Sequence, residues 1–171
     1  CVIVKNNNIL SFATTNNGGR PHAESIALNK NRYNKGTSLY STLEPCSHHG
    51  VTPPCTNAII KNKVKKVYYS IEDKDLRTFN KTKKILKSKK IVTISGLQKR
   101  KVKNLYKEYN YIRSNKAPYV IGKIASSSNL NILRNNSFIT NEHSRRVSHI
   151  LRFQNHAILT SYKTINTDNP K

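Results

Sequence analysis

Apolar positions recur along the chain in short blocks whose period switches between two and about 3.6 residues. Cys1 to Val4 reads as a strand, Lys5 to Asn8 as a hairpin turn and Ile9 to Ala13 as a second strand. The cluster Asn16-Asn17-Gly18-Gly19-Arg20-Pro21 predicts a turn leading to a helix that starts at His22, with Ala23, Ile26 and Ala27 on its apolar stripe. Leu39 to Thr42 is a short apolar strand. From Cys55, the residues Ala58, Ile59 and Ile60 fit a helix ended by the lysine-rich stretch Asn62 to Lys66, and Pro53-Pro54 preset its first turn. A strand from Val67 to Ile71, a polar turn from Glu72 to Arg77, a basic helix around Ile85 and Leu86, and a strand from Ile91 to Ile94 follow. Gln98 to Ser114 carries Val102, Leu105, Tyr106, Tyr109 and Ile112 at helical spacing, which predicts one helix with a core stripe. Asn115-Lys116-Ala117-Pro118 breaks that helix, and Tyr119 to Ala125 begins a new apolar strand.

Strand and helix in alternation predict an α/β layer architecture, with helices on both faces of a mixed sheet. The break before Pro118 predicts a boundary between a domain over 1–115 and a second one over 117–171. A chain of 171 residues suits one domain, or one domain and part of another. No run of about 18 apolar residues and no signal-peptide pattern is present, so the expectation is no membrane contact and a cytoplasmic protein. Three cysteines argue for a reducing compartment rather than a disulfide framework.

Charge alters this picture less than its size suggests. Lys and Arg number 31 against 8 acids, a formal net charge of +23. The basic residues are spread over the whole chain and interleaved with Asn and Ile. They predict a solvated surface that holds nucleic acid only non-specifically, at low salt.

The chemistry concentrates in two stretches, Pro21-His22-Ala23-Glu24 and Glu44 to Cys55. Their side chains include an imidazole at His22, two thiols at Cys46 and Cys55, and a carboxylate two residues past that imidazole. Zinc takes sulfur and nitrogen donors in tetrahedral geometry, and three protein ligands leave a fourth position for water. His22, Cys46 and Cys55 are the candidate ligands of Zn2+. Glu24 is the candidate proton shuttle between water and a leaving amine, in the H-x-E…P-C…C order of zinc deaminases. Eight residues separate Cys46 from Cys55, where the general deaminase pattern has two, so a loop must bulge out and return. Within it His48 is the candidate hydrogen-bonding group for substrate, and His49 a surface residue. Asp73 and Asp75 read as turn-capping residues rather than paired catalytic acids. Cys1 reads as a packed strand residue rather than a fourth ligand.

Thr42 to Cys55 closely resembles the run T-L-E-P-C-S-H-x-G-[RK]-T-P-P-C of the bifunctional riboflavin-biosynthesis family, whose first half is a pyrimidine deaminase and whose second half is a reductase. One position departs from it: Val51 stands where the family carries the Arg or Lys assigned to the substrate phosphate. The resemblance implies a three-layer αβα cytidine-deaminase-like fold followed by the start of a dihydrofolate-reductase-like α/β domain. The implied reaction is hydrolytic deamination of 2,5-diamino-6-(5-phosphoribosylamino)pyrimidin-4(3H)-one, a small pyrimidine ribose phosphate. The family's first helix and its P-N-P-x-V-G segment have no counterpart here, so the chain reads as a fragment.

Beyond Ala117 the resemblance continues into the reductase half, which uses NADPH. Lys123-Ile124-Ala125 matches K-x-[AG], Phe138-Ile139-Thr140 matches W-I-T with Phe for Trp, and Arg145 and Arg152 match a pair of helix arginines. Ala157 to Pro170 matches A-I-L-x-x-x-x-T-x-x-x-D-x-P. On that basis Ala125, Phe138, Thr164 and Asp168 would border NADPH, and Arg152 and Asn136 the sugar-phosphate substrate. The later strands and the glycine-rich phosphate loop are not in the chain, so no reductase activity is expected of it. The family's assemblies make a homo-oligomer compatible with the chain. Two further readings stay open: a base deaminase acting on nucleic acid, and an inactive zinc-stabilised fragment whose basic surface holds RNA.

Overall fold

The computed structural model describes residues 1–132 and 138–168, the side chains of residues 167 and 168 excepted. It divides into two compact units, Cys1–Tyr119 and Val120–Lys171.

The first unit opens with β1 (Val2–Lys5) and β2 (Asn8–Phe12), joined through Asn6 and Asn7. Both asparagines are left-handed, with φ of 48° and 63°, as a two-residue hairpin turn twisted like its strands requires. α1 (Ala23–Lys30), β3 (Ser38–Leu43), α2 (Cys55–Lys61), β4 (Lys66–Ile71), α3 (Lys81–Ser88), β5 (Val92–Ser95), α4 (Lys99–Leu105) and α5 (Lys107–Asn115) follow. The strands form one mixed sheet in the order β2-β1-β3-β4-β5, antiparallel between β2, β1 and β3 and parallel from β3 to β5.

Alternation along each strand assigns the two faces. Ile3 pairs with Leu39 and Leu39 with Val67, a row across three strands in which every side chain is 0% exposed. Ala27 and Leu28 of α1, Ile59 of α2 and Leu86 of α3 join this row in the core. α1 packs against α2, and α2 against α3. The next register position points the other way, and there Tyr40 and Tyr68 stack with ring centroids 4.6 Å apart. Thr42, on that same face of β3, meets the Tyr106 hydroxyl at 2.7 Å, so helices cover both faces of the sheet. Because Leu39 sits at the centre of the buried row, Leu39→Ala should cost about 2–5 kcal/mol of stability. Denaturant unfolding checks this, and a loss below about 1 kcal/mol would contradict the placement.

The single helix expected over Gln98 to Ser114 is two, broken at Tyr106. Its stripe is not core: Leu105 and Ile112 are exposed, and Val102, Tyr106 and Tyr109 are half-buried. The reason lies in the tyrosine tips. Tyr106 bonds Thr42, Tyr109 donates to Asp73 Oδ1 at 2.8 Å, and the break lets both reach the ends of the strands.

In the second unit α6 (Glu142–Gln154) starts at Asn141, whose side chain accepts from the Ser144 amide at 2.9 Å. α7 spans Tyr162–Asp168. The strand expected over Tyr119 to Ala125 is not formed. A strand needs a partner to satisfy its backbone, and no strand occurs among the described residues of this unit.

Candidate active site

β3 runs into the loop that carries Cys46, and α1 and α2 begin beside it, so three chain segments converge. His22 occupies the position before the first turn of α1, where the backbone is still extended (φ −71°, ψ 155°). Cys55 opens α2 directly after Pro54. The donor atoms of His22, Cys46 and Cys55 lie within 4.8 Å of one another. Each sulfur is 3.4 Å from His22 Nδ1, which identifies Nδ1 as the imidazole's inward atom. The Cys55 amide donates to Cys46 Sγ at 3.2 Å, aiming the start of a helix at a thiolate.

The hydrogen bond from Cys55 lowers Cys46 to about 3, and the same bond pushes Cys55 up. The Cys46 sulfur raises His22. One nitrogen and two sulfurs, with no fourth protein donor in the cluster among the described residues, fit zinc in a three-ligand site with an open position. Glu24, 7% exposed in the first turn of α1, places Oε2 3.8 Å from Cys55 Sγ. Burial pushes its carboxyl up, which suits a group that must both take and return a proton.

The loop between the cysteines bulges as its length demands. The Thr56 amide donates to the Cys46 carbonyl at 3.1 Å, closing it at the metal side. Val51 at its tip is 91% exposed, and His49 is also exposed. His48 turns inward: Nδ1 lies 2.9 Å from Thr78 Oγ1, and Nε2 is buried with no partner in the pocket wall.

A cavity of about 460 Å³ opens over the metal site. Its far wall holds residues that periodicity assigned elsewhere or left out. Asp73 and Asp75 do cap their turn, accepting from the Asp75 and Arg77 amides at 2.9 and 3.0 Å. They also line the cavity, with Arg77, Arg113, Tyr106 and Tyr109, so other groups do converge on them. Asp75 is held well below the usual carboxylate range by its hydrogen bonds from Arg77. Glu44 is 2% exposed; Oε2 accepts from the Asp73 and Asn80 amides at 3.2 and 3.4 Å, while Oε1 is buried without a partner. The signal that reveals these groups is topological: β3 and β4 are parallel, and ligands of such sheets sit beyond the carboxyl ends of the strands. Tyr109→Phe removes the bond to Asp73 and should raise KM several-fold at nearly constant kcat, as expected when a wall residue orients substrate without joining the chemistry. An unchanged KM would place Tyr109 outside the binding surface.

The residues expected to serve a reductase lie in the second unit. Ala125 is half-buried in an extended segment, Phe138 lies 4.2 Å beneath the Arg145 guanidinium, and Arg152 is exposed on α6. Thr164 donates its amide to Ser161 Oγ at 3.1 Å on α7, and Asp168 ends that helix. Asn136 lies outside the described residues. No hydrogen bond joins any of these to another among the described residues.

Fold and cluster together define a zinc-binding domain of the cytidine deaminase class: the profile of the cytidine and deoxycytidylate deaminase zinc-binding region matches residues 1–71. The chain is 35% identical over 174 residues to the riboflavin biosynthesis protein RibD of Escherichia coli, covering 99% of this chain and 47% of that protein. RibD of Acinetobacter baumannii superposes with a TM-score of 0.91 at 32% identity, over 99% of this chain and 49% of its own. The diaminohydroxyphosphoribosylaminopyrimidine deaminase/5-amino-6-(5-phosphoribosylamino)uracil reductase of Thermotoga maritima gives a TM-score of 0.87 at 32% identity, over 99% and 50%. The chain belongs to the RibD family. It spans about half the length of the curated relatives it matches. Among the described residues no helix is long and apolar enough to cross a membrane.

Proposed function

We propose that the chain catalyses the deaminase step of riboflavin biosynthesis, hydrolysing the exocyclic amine of 2,5-diamino-6-(5-phosphoribosylamino)pyrimidin-4(3H)-one. The observation that carries this reading is the His22, Cys46 and Cys55 triangle, with donors within 4.8 Å and the buried Glu24 beside it. His22, Cys46 and Cys55 hold the metal. Zinc, when bound, lowers the pKa of water towards neutrality and polarises it against the pyrimidine. Glu24 takes a proton from that water as a C–O bond forms at the amine-bearing ring carbon. It returns the proton to the nitrogen as the C–N bond breaks, and ammonia leaves. His48 Nε2 and the Glu44, Asp73 and Tyr109 wall orient the ring and the ribosyl chain.

The domain over 1–115 carries this chemistry, and 117–171 is the opening of a reductase domain. In a longer protein with that domain complete, Ala125, Phe138, Thr164 and Asp168 border NADPH, and Arg152 and Asn136 border the sugar phosphate. Three free thiols suit the cytoplasm. Nucleic acid is held only by counterion release on the lysine-coated surface, and a homo-oligomer is compatible with the fold. Ammonia release from the diaminopyrimidine phosphate by zinc-loaded protein tests the reading. Turnover is expected with this substrate and not with cytidine or single-stranded RNA; release from RNA alone would establish the base-deaminase alternative instead.

A further inference from the structure

Three arginines line the cavity over the metal site, and they differ in what neutralises them. Arg77 and Arg113 both pair with Asp75. Arg20, half-buried on the turn that leads to His22, has no carboxylate at ion-pair distance among the described residues. Its Nη1 lies 3.1 Å from Thr52 Oγ1 and 3.5 Å from His22 Nδ1. Nη2 lies against Gly50, 3.3 Å from where a β-carbon would stand there. The guanidinium is therefore anchored between the metal site and the inner side of the 50–52 loop. Val51, at the tip of that loop, carries no charge and points to solvent. Lys61, on the last turn of α2, lines a separate cavity with Lys5 and Arg32.

We propose that Arg20 is the residue that receives the substrate's phosphate. The proposal takes from the deaminase reading only the identity of that substrate. Of the substrate's parts the phosphate alone carries full charge, and four carboxyl groups, of Glu24, Glu44, Asp73 and Asp75, also line the cavity. A dianion is repelled by those carboxylates, and Arg77 and Arg113 are both held on Asp75, which leaves Arg20 as the one cavity arginine without a carboxylate partner among the described residues. A planar fork also fits two phosphate oxygens at once.

Calorimetric titration of the full chain with ribose 5-phosphate and with ribose tests this, alongside kcat/KM for the phosphorylated substrate and its dephosphorylated nucleoside. The parent should bind ribose 5-phosphate more tightly than ribose. Arg20→Gln should weaken ribose 5-phosphate on the order of 10- to 100-fold, the range for loss of a charged hydrogen bond, and should shrink the preference for phosphorylated substrate by a similar factor. Arg20→Lys keeps the charge and should keep most of the affinity. Equal binding of the two sugars by the parent, parent-like binding by Arg20→Gln, or a loss in Arg20→Lys as large as in Arg20→Gln would each overturn the assignment. Binding of ribose 5-phosphate through Arg20 without ammonia release would leave Arg20 standing and remove the deaminase reading; ammonia release with no Arg20 effect would do the reverse.

Discussion

Glu24→Gln is expected to keep bound zinc and the fold while losing roughly 10²- to 10⁴-fold in deamination rate, the range for removing a positioned acid–base group. Gln preserves the shape of the side chain in its buried slot, but its amide can neither take up nor give back a proton near neutral pH. The carboxyl is 7% exposed and raised by burial, so it sits between the two proton-transfer events rather than in bulk solvent. The sulfur–nitrogen triangle does not depend on it, since Cys46 and Cys55 each approach His22 Nδ1 directly. Metal content and rate should therefore separate. A variant rate within a few-fold of the parent would remove Glu24 from the chemistry, and loss of zinc along with activity would make it a structural element of the metal site.

Cys46→Ala should have the second large effect, and on a different quantity. Two donors remain where three converged, so zinc affinity should fall by more than the roughly 10- to 100-fold that disturbing an outer-shell partner costs. The fold should survive, because the buried row of Ile3, Leu39 and Val67 and the helices over it make no use of the metal. Ligand linkage provides the readout: zinc at about 100 times its Kd stabilises a folded binder by about 2.7 kcal/mol. Thermal unfolding of the parent should shift upward with added zinc and that of Cys46→Ala should not. An equal shift in both would mean that the stabilising zinc is bound elsewhere.

Much of this was legible in the chain, for identifiable reasons. Period-two runs at Val2, Leu39 and Val67 are short and bounded by Asn, Gly and Lys turns, so their strands were readable even though their order is not. The metal triangle was readable because H-x-E and P-C-(x)8-C carry their chemistry in residue type and spacing. The break at Tyr106 was not, because apolar spacing runs through it unchanged; hydroxyl contacts to Thr42 and Asp73, distant in sequence, decide it. Glu44 and Asp73 were hidden for the same reason. They meet because β3 lies beside β4, where the Glu44 amide bonds the Ile71 carbonyl at 2.9 Å. Arg20 looked like part of a turn, and only the contacts to Thr52 and Gly50 show where its charge is directed. The segment from Tyr119 to Ala125 has the apolar content of a strand, yet a strand also requires a neighbour to bond with.

Three side chains from three segments should hold one zinc with an open fourth position. Metal analysis of the purified chain combined with zinc X-ray absorption tests it most directly. One zinc per chain, bound by two sulfurs at about 2.3 Å and one nitrogen at about 2.0 Å with an oxygen completing the shell, is the predicted result. A chain purified from zinc-replete medium without bound zinc, or a shell closed by four protein donors, would contradict it.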